Sequence, residues 1–496
     1  MRILLVTSEY EGLVKIGGLS DFSAAMAAAL ARQGHDVRVL LPRYASINAD
    51  LAVTPIGPLT VPLSFWQNYG GFVWRWQHAS VPVYLLEHQQ FFGRSGIYDD
   101  GLNPYDDNPL RYAYLSHAAF SLCQQLDWYP DIIHASDWPT ALVPFYRREH
   151  YASDPRFRRC HTVLTIHNGA YQGRFDRHWH EPLGIHPRLL VPELFEDMGC
   201  INLLKAGIRL ADELVTVSPS YRDELLHSAT SHGLAASYQH RRQQLSGIVN
   251  GVDASSWDPA SDPAQRQPFS PGRLAGKAAC KAEQQQRHGL PVDNSQPLLA
   301  MIGRVASQKG FALLLPALEA LLPARFQLVV MGHGEPRWQQ ALTALAARFP
   351  QQLVYVPSFG DAATRALLGA ADYLLMPSLF EPCGLSQLYA MRYATIPLVT
   401  PVGGLKDTVL ALGETLHNRE RATGYCASAV SSEALVAMLQ RVEREFGDQM
   451  LLAQLRRNAM ASNFSWDQAA SHYSALYQRA CRHHSRSVPL TRRRAA

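Results

Sequence analysis

The sequence lacks several features that would assign it to a class of protein at once. Seven cysteines are scattered over 496 residues without a CxxC pair, so neither a disulfide framework nor a zinc site of the usual spacing is expected. No uninterrupted apolar run approaches the ~20 residues that cross a bilayer. The apolar segment Met1–Ser8 has no small-residue cleavage site and reads as a buried first strand. We therefore expect a soluble, cytoplasmic protein with reduced thiols.

An excess of charge of one sign is also missing. The 46 lysine and arginine residues against 42 aspartate and glutamate residues give a net charge of +4, which is too small for this length to indicate a nucleic-acid-binding protein. The first strand is not followed by GxGxxG, which argues against a nicotinamide oxidoreductase. A local basic site that receives an anion remains compatible with this composition.

Short apolar runs alternate with amphipathic helical patterns, and the alternation starts twice. The run Arg2–Val6, the helical pattern Ser20–Arg32 and the run Asp36–Leu41 form a strand–helix–strand unit. Continuous apolar strands of this kind indicate a parallel sheet that is covered on both faces. Because the pattern restarts at Leu298–Ile302, we predict an α/β protein with two Rossmann-like domains.

The composition also suggests where the domains divide. We place the junction near Gly251, which gives an N-terminal domain 1–250 and a C-terminal domain 251–465. The polar stretch Asp253–Pro297 is expected to connect them, and 478–496 to form a solvated basic tail. Two facing parallel sheets would form a cleft, and ligands of such sheets bind outside the carboxyl ends of the strands. Chemistry is therefore expected in loops directly after strands.

The first such loop contains Lys15, Gly17 and Gly18, between the first strand and the first helix. Adjacent glycines let the backbone approach a ligand closely and present N–H groups to it. The helix N-terminus that follows favours an anion, and Lys15 adds a full positive charge. The loop therefore suits phosphate, although an ordinary turn with an exposed lysine explains it equally well.

Two loops of the second half carry the stronger signal. Arg304 and Lys309 follow the strand Leu298–Ile302, where two cations can offset a diphosphate charge without a metal ion. Further on, Glu381 precedes a helix whose first amides suit phosphate, and its carboxylate can accept hydrogen bonds from sugar hydroxyls. The alternatives are a solvated cation pair and a solvated loop glutamate.

Two more strand ends in the first half carry polar side chains. His167 and Asn168 follow the predicted strand Thr162–Ile166, and Asp137 and Trp138 follow the strand that ends near His134. An indole beside a carboxylate suits a carbohydrate, because the apolar ring face lies on tryptophan and the hydroxyls bond the carboxylate. A buried structural tryptophan explains Trp138 equally well.

Together and in this order, the five loops resemble the bacterial glycogen synthases and plant starch synthases, retaining transferases of glycosyltransferase family 5 with the two-domain GT-B fold. The resemblance runs from Met1 to about Tyr477 and includes Asn250–Asp253 and Gly403–Thr408. It implies transfer of glucose from ADP-glucose to the non-reducing end of an α-1,4-glucan, either glycogen or a maltooligosaccharide, with retention of configuration and no metal cofactor. It also implies that the helix 466–477 packs back on the first domain.

The resemblance assigns roles to individual residues. Those expected to contact the phosphates, glucose or adenine of the donor are Lys15, Gly17, Gly18, Arg304, Lys309, Phe359, Glu381, Cys383, Gly384, Leu385 and Ser386. Those expected on the sugar and acceptor side are Asp21, Asp137, Trp138, His167 and Asn168. Those expected to act in catalysis are Lys15, His167, Arg304, Lys309 and Glu381. The implied mechanism has no covalent protein nucleophile, and the departing diphosphate helps deprotonate the attacking hydroxyl.

The sequence departs from the family pattern at three positions. Ile16 replaces a threonine in the glycine loop, and Ser136 and Pro139 replace two histidines around Asp137. The donor-side cations all remain, so we expect donor binding to be kept and the departures to affect acceptor preference or turnover. The alternatives are a related retaining glucosyltransferase with another donor or a shorter acceptor, and a catalytically weak paralogue that binds glucan or nucleotide.

Overall fold

The chain forms two compact units, each with its own sheet. A computed structural model describes residues 1–64, 67–321, 326–358 and 360–482. Unit 1 contains Met1–Gly251 and the segment from Trp466, and unit 2 contains Val252–Ser465. Gly251, which the sequence placed in the second domain, therefore belongs to unit 1.

Unit 1 is built on a nine-stranded sheet of order β12-β11-β7-β6-β1-β2-β5-β4-β3 and a small sheet of order β8-β10-β9. The strands are β1 Arg2–Val6, β2 Asp36–Pro42, β3 Thr54–Pro62, β4 Asn68–His78, β5 Val81–Glu87, β6 Ile132–Ser136, β7 His161–Ile166, β8 Arg174–Asp176, β9 Glu196–Asp197, β10 Cys200–Asn202, β11 Glu213–Thr216 and β12 Leu245–Gly247. The helices are α1 Gly18–Arg32, α2 Gln89–Phe92, α3 Asn108–Gln125, α4 Val143–Glu149, α5 Leu203–Leu210, α6 Pro219–Leu225, α7 Ala235–His240 and, from the end of the chain, α16 Trp466–Arg482. Single 3₁₀ turns lie at Trp138–Thr140, Pro155–Phe157, Arg177–His180 and Pro187–Leu189.

The centre of this sheet is parallel, and two strands there are buried along their whole length. All five residues of β6 and all six of β7 are buried, as expected for strands with helices on both faces. The antiparallel strands β3 and β4 at one edge were not predicted. Since β3 contains three prolines and a glycine, it reads as a turn-rich segment, and prolines of this kind are tolerated only in an edge strand.

Unit 2 is built on a fully parallel six-stranded sheet of order β15-β14-β13-β16-β17-β18. The strands are β13 Leu298–Ile302, β14 Gln327–Met331, β15 Leu353–Val356, β16 Tyr373–Met376, β17 Ile396–Val399 and β18 Tyr425–Cys426. The helices are α8 Gly276–Arg287, α9 Phe311–Leu321, α10 Pro336–Arg348, α11 Asp361–Ala370, α12 Ser386–Arg392, α13 Gly403–Thr408, α14 Ser432–Glu445 and α15 Gln449–Ala461, with a 3₁₀ turn at Ser307–Lys309. Buried apolar clusters cover both faces of the sheet.

The stretch Asp253–Pro297, predicted as a polar connection, contains the packed helix α8. The helix is polar because it buries lysines with partners rather than apolar side chains. The Nζ of Lys277 donates to the carbonyl of Tyr393 and the hydroxyl of Thr395, each at 2.8 Å, and Lys281 pairs with Asp372 at 2.8 Å. Burial lowers the pKa of Lys277 well below its usual range.

Residues 478–482 were predicted to begin a solvated basic tail but are helical, and the rest of that predicted tail lies outside the described residues. Helix α16 continues to Arg482, so residues 478–482 belong to a helix that packs on unit 1. The hydroxyl of Tyr477 lies 2.7 Å from Nδ1 of His134, and Arg479 pairs with Glu213 at 2.8 Å. None of the helices in the described ranges is long and apolar enough to cross a membrane.

Both sheets reverse their strand order beside their first strand. In unit 1, β1 lies between β2 and β6, and in unit 2, β13 lies between β14 and β16. In open parallel sheets, ligands bind outside the carboxyl ends of the strands at this reversal. The loops after β1 and β13 are therefore the places where the fold presents ligand-binding groups.

Candidate functional site

The glycine loop after β1 is held by the carboxylate of Glu9, which the sequence pattern does not single out. Oε2 of Glu9 accepts hydrogen bonds from the backbone N–H groups of Ile16 at 2.8 Å and Gly17 at 3.0 Å. Its Oε1 accepts a hydrogen bond from the hydroxyl of Tyr98 at 2.8 Å. The N–H of Gly17, which was predicted to face phosphate, is therefore engaged by a carboxylate in this structure.

The remaining predicted groups of this loop lie around the start of α1. The helix begins at Gly18, two residues earlier than predicted, so the N–H of Gly18 lies in its first turn. Lys15 pairs with Asp21 in that same turn, with 2.7 Å between Nζ and Oδ1. Asp21 thus holds the lysine beside the N-terminus of α1, and its carboxylate offsets the charge of Lys15.

Asp137 holds the loop that follows β7. It lies directly after β6 with a left-handed φ of 55°, and its Oδ1 accepts from the backbone N–H of His167 at 2.7 Å and, more weakly, of Asn168 at 3.4 Å. Burial raises the pKa of Asp137 to about 7, and the charge of Glu9 also raises it, against the effect of the two N–H donors. Asp137, His167 and Asn168 are therefore brought together as predicted, and the carboxyl group of Asp137 accepts hydrogen bonds from the backbone of the other two.

His167 is kept neutral by its surroundings. Its ring packs edge-on against Phe22 of α1 at 4.5 Å between centroids, and burial lowers its pKa to about 3. Within the described residues, its buried Nε2 has no hydrogen-bond partner, so this nitrogen is available to a ligand or a water. The side chain of Asn168 instead stabilises its own turn, because Oδ1 accepts from the N–H of Ala170 at 3.0 Å.

Trp138 is packed within unit 1. Its indole lies 4.9 Å from the ring of Tyr112 and 5.6 Å from that of Phe175. Gly173 has a φ of 62° and touches the indole so closely that a Cβ would lie 2.7 Å from it. These contacts favour the structural explanation of Trp138 over a role in stacking on a sugar.

Two of the three departures from the family pattern lie inside the fold. Ser136 is the buried last residue of β6, and its N–H and C=O both bond the hydroxyl of Thr140. Pro139 is buried in the 3₁₀ turn that follows. Ile16, in contrast, is 58% exposed. Ser136 and Pro139 are thus buried on either side of Asp137, and the expectation that the departures affect acceptor preference or turnover stays a prediction.

In unit 2, the structure brings the predicted charged residues together. Nζ of Lys309 lies 2.6 Å from Oε2 of Glu381, which also accepts from the hydroxyl of Ser378 at 3.1 Å. Arg304 is exposed in the same loop, and it lines a depression at the ends of β13, β14 and β16 with Lys309 and Ser378. One carboxylate and two cations are therefore concentrated where the strand order reverses.

A glycine allows the two loops to touch. Gly310 has a left-handed φ of 78°, and a Cβ there would lie 1.8 Å from the carbonyl oxygen of Pro377. The contact is extended by Leu379, whose N–H donates to the carbonyl of Gln308 at 2.9 Å, and by the Gln308 side chain, which donates to the carbonyl of Phe380 at 3.2 Å. Lys309 is thereby fixed beside Glu381.

The predicted amide loop Cys383–Ser386 leads into α12. Gly384 has a φ of 71°, and the buried Gln387 donates to the carbonyls of Cys383 at 3.0 Å and Gly384 at 2.9 Å. These bonds fix the loop, with Leu385 at the cap position and Ser386 as the first residue of the helix. Phe359, predicted to stack on adenine, lies outside the described residues.

A metal site is not found in the part of the chain that the structure describes. There, no group of three or more His, Cys, Asp or Glu side chains is placed to hold an ion. The expectation that the activity needs no metal stays a prediction.

Family profiles match both units. The profile described as "Starch synthase catalytic domain" matches residues 2–240, and that described as "Glycosyl transferases group 1" matches residues 282–460. The glycogen synthase of Aeromonas salmonicida (strain A449) is 39% identical over 97% of this chain and 98% of its own. That of Anaeromyxobacter sp. (strain Fw109-5) is 40% identical over 96% of this chain and 99% of its own.

Solved structures support the same assignment. The catalytic domain of starch synthase IV from Arabidopsis thaliana, bound to ADP and acarbose, is 28% identical with a TM-score of 0.89, covering 97% of this chain and 99% of that one. Sucrose-phosphate synthase from Thermosynechococcus elongatus, 17% identical with a TM-score of 0.59 over 96% and 98% of the two chains, shares only the fold. The predicted GT-B fold is confirmed, and the chain belongs to the glycogen synthase and starch synthase family of glycosyltransferases.

Proposed function

We propose that the protein transfers glucose from ADP-glucose to the non-reducing end of an α-1,4-glucan, with retention of the anomeric configuration. The observation that carries the proposal is the cluster of Arg304, Lys309 and Glu381 at the end of β13. The names of the relatives support glucan synthesis, and the ADP bound to the starch synthase IV structure supports an adenine donor.

The cations are proposed to stabilise the departing diphosphate. The planar guanidinium of Arg304 can donate two parallel hydrogen bonds to phosphate oxygens, and Lys309 adds a compact charge a few residues away. Charge that develops on the leaving group is then neutralised without a metal ion, and one such aimed donor contributes about 10²–10³ in rate. Glu381 fixes Lys309 by the ion pair and is proposed to accept hydrogen bonds from the glucose hydroxyls.

The residues of unit 1 are proposed to bind and orient rather than to act as nucleophiles. Asp137 accepts two backbone N–H groups through one oxygen, so its role is to position His167 and Asn168. His167 stays neutral near pH 7 and can donate or accept a hydrogen bond, but it carries no charge. The acceptor hydroxyl is proposed to attack the anomeric carbon from the same face of the glucose ring that the diphosphate leaves, which retains the configuration. The departing diphosphate takes the proton of that hydroxyl.

The test is a matrix of donors and acceptors. The protein is incubated with ADP-glucose or UDP-glucose, and with glycogen or a short maltooligosaccharide, and the released nucleotide is measured. ADP release that depends on the acceptor supports the proposal, and the anomeric proton of the new linkage, observed by NMR, reports retention. A preference for UDP-glucose would show that the donor is UDP-glucose and not ADP-glucose. Absence of nucleotide release with every pair of donor and acceptor would reject the transfer activity.

The location of the enzyme is also a proposal. No disulfide joins any of the seven cysteines, as is usual in a reducing compartment. We therefore infer that the protein works in the cytoplasm, which fractionation of cells that express it would test.

A further inference from the structure

The strongest unassigned feature of unit 1 is the buried carboxylate of Glu9. Glu9 is only 4% exposed, and burial by itself disfavours a charged carboxylate. Two backbone N–H groups and one phenol donate to it, at 2.8 Å from Ile16, 3.0 Å from Gly17 and 2.8 Å from Tyr98. Hydrogen bonds to a carboxylate are about twice as strong as neutral ones.

The backbone of Glu9 is anchored as well. The hydroxyl of Thr7 donates to the carbonyl of Glu9 at 3.0 Å and lies 2.9 Å from the hydroxyl of Ser23 in α1. The backbone of Glu9 is therefore held in place independently of the glycine loop. We conclude that the carboxylate fixes the loop, and not that the loop fixes the carboxylate. This arrangement joins the end of β1, the glycine loop and the segment around Tyr98.

The two hydrogen bonds from Ile16 and Gly17 to Glu9, called the tie below, set the shape of the loop that carries Lys15. With the N–H groups of Ile16 and Gly17 turned to Glu9, the side chain of Ile16 projects into solvent and α1 begins at Gly18. Lys15, one residue before the tie, lies beside Asp21. Without Glu9, two N–H groups lose their acceptor and the loop can rotate, so that Lys15 and Gly18 no longer keep one position.

We propose that Glu9 is a positioning residue for the donor phosphates, which acts by holding the glycine loop in the conformation that presents Lys15 and the N–H of Gly18. The inference rests on the proposed function, because it assumes that this loop meets the donor. It also changes the assignment of Gly17, whose N–H serves the internal carboxylate and not the ligand.

Two substitutions separate the shape of the loop from the charge that fixes it. Glu9→Ala removes every acceptor. In Glu9→Gln, the amide oxygen can accept both N–H groups, and the NH₂ can donate to Tyr98, whose own proton can turn to the hydroxyl of Ser8 at 2.7 Å. The glutamine therefore rescues the hydrogen bonds without the charge.

A matched control is available at the amino ends of the strands of the same sheet. Glu213, at the start of β11, is 3% exposed and pairs with Arg479 at 2.8 Å. Since β1 and β11 run in the same direction within the parallel part of the sheet, the start of β11 lies far from the end of β1. Glu213→Ala should therefore lower the stability of unit 1 and leave the donor kinetics unchanged.

The experiment measures kcat and KM for ADP-glucose and for glycogen in the parent and in the three variants, below the unfolding transition of each. We expect Glu9→Ala to lose about 10²-fold in kcat/KM for ADP-glucose, with the KM for glycogen unchanged, because small misplacements cost that much. Glu9→Gln should recover at least about tenfold of the loss. Unchanged donor kinetics in Glu9→Ala, a KM for glycogen that also changes, or no rescue by glutamine would each overturn the inference.

A second measurement tests the hydrogen bonds between Glu9 and the glycine loop even if the parent turns over no nucleotide sugar, a result that would count against the proposed function. Hydrogen exchange of the segment with Ile16 and Gly17 reports directly on the tie. These N–H groups should exchange slowly in the parent and Glu9→Gln, and at least about tenfold faster in Glu9→Ala. Equal exchange in all three proteins would refute the tie itself.

Discussion

The ion pair between Lys309 and Glu381 gives the sharpest quantitative prediction. Their side chains are 24% and 8% exposed, and 2.6 Å separates Nζ from Oε2. Lys309→Met keeps much of the volume but leaves the carboxylate of Glu381 without its cation. Breaking a buried pair in this way costs about 3–5 kcal/mol of unfolding free energy. Because Lys309 is partly exposed and Ser378 still donates to Glu381, we expect the lower end, about 3 kcal/mol.

The double variant Lys309→Met/Glu381→Gln distinguishes a stranded charge from lost packing. With no charge left, it should be more stable than Lys309→Met alone by about 1–2 kcal/mol, although neither variant should regain activity. Urea unfolding followed by intrinsic fluorescence gives the free energies. Arg348→Met is the control, because Arg348 and Glu319 form a pair that is more than half exposed and worth at most about 1 kcal/mol. A double variant no more stable than Lys309→Met would refute the reasoning.

Further predictions follow from single contacts. Arg304→Ala should lower kcat by about 10²–10³, whereas Arg348→Ala should leave kcat unchanged and lower the unfolding free energy by at most about 1 kcal/mol, and a loss in kcat under twofold would contradict the role of Arg304. Because the pKa of Asp137 is raised to about 7, the folded protein keeps a proton that the unfolded chain releases, so this group makes stability fall from about pH 4 to 7 by up to about 1.4 kcal/mol per pH unit. Asp137→Asn should remove that slope in urea titrations, while buried His134 and His167, with pKa values lowered to about 3, contribute a slope of the opposite sign in both proteins. Ile16→Thr should leave stability within about 0.5 kcal/mol, because the side chain is exposed, and thermal unfolding would show it. Activity should survive dialysis against EDTA, and recovery only on addition of a divalent cation would contradict the metal-free account.

The strands and loops that could be predicted are those governed by local apolar patterning. The strands β1 and β13 match their predicted bounds residue for residue, because each is built on a continuous apolar run. The same regularity placed Arg304 and Lys309 after β13, where the structure finds them. A pattern of buried strands thus suffices to place strand-end loops.

What escaped prediction depends on contacts between distant residues. Glu9 reads as one more loop carboxylate, and only the fold shows that the N–H groups of Ile16 and Gly17 turn toward it. Helix α8 reads as a linker because its buried Lys277 finds its acceptors more than 90 residues away. The sequence did contain one signal for Glu9, because an acidic residue three positions after the first strand lies near the carboxyl ends of the strands, where ligands bind.

The transfer reaction itself is tested most directly by chain extension. The protein is incubated with ADP-glucose and a maltooligosaccharide of defined length, and the products and released ADP are quantified together, with Arg304→Ala as the comparison. The account predicts one glucose added per ADP released, an α-1,4 linkage in the product, and a rate lower by about 10²–10³ in the variant. No lengthened oligosaccharide with any acceptor, or equal rates for the parent and the variant, would contradict it.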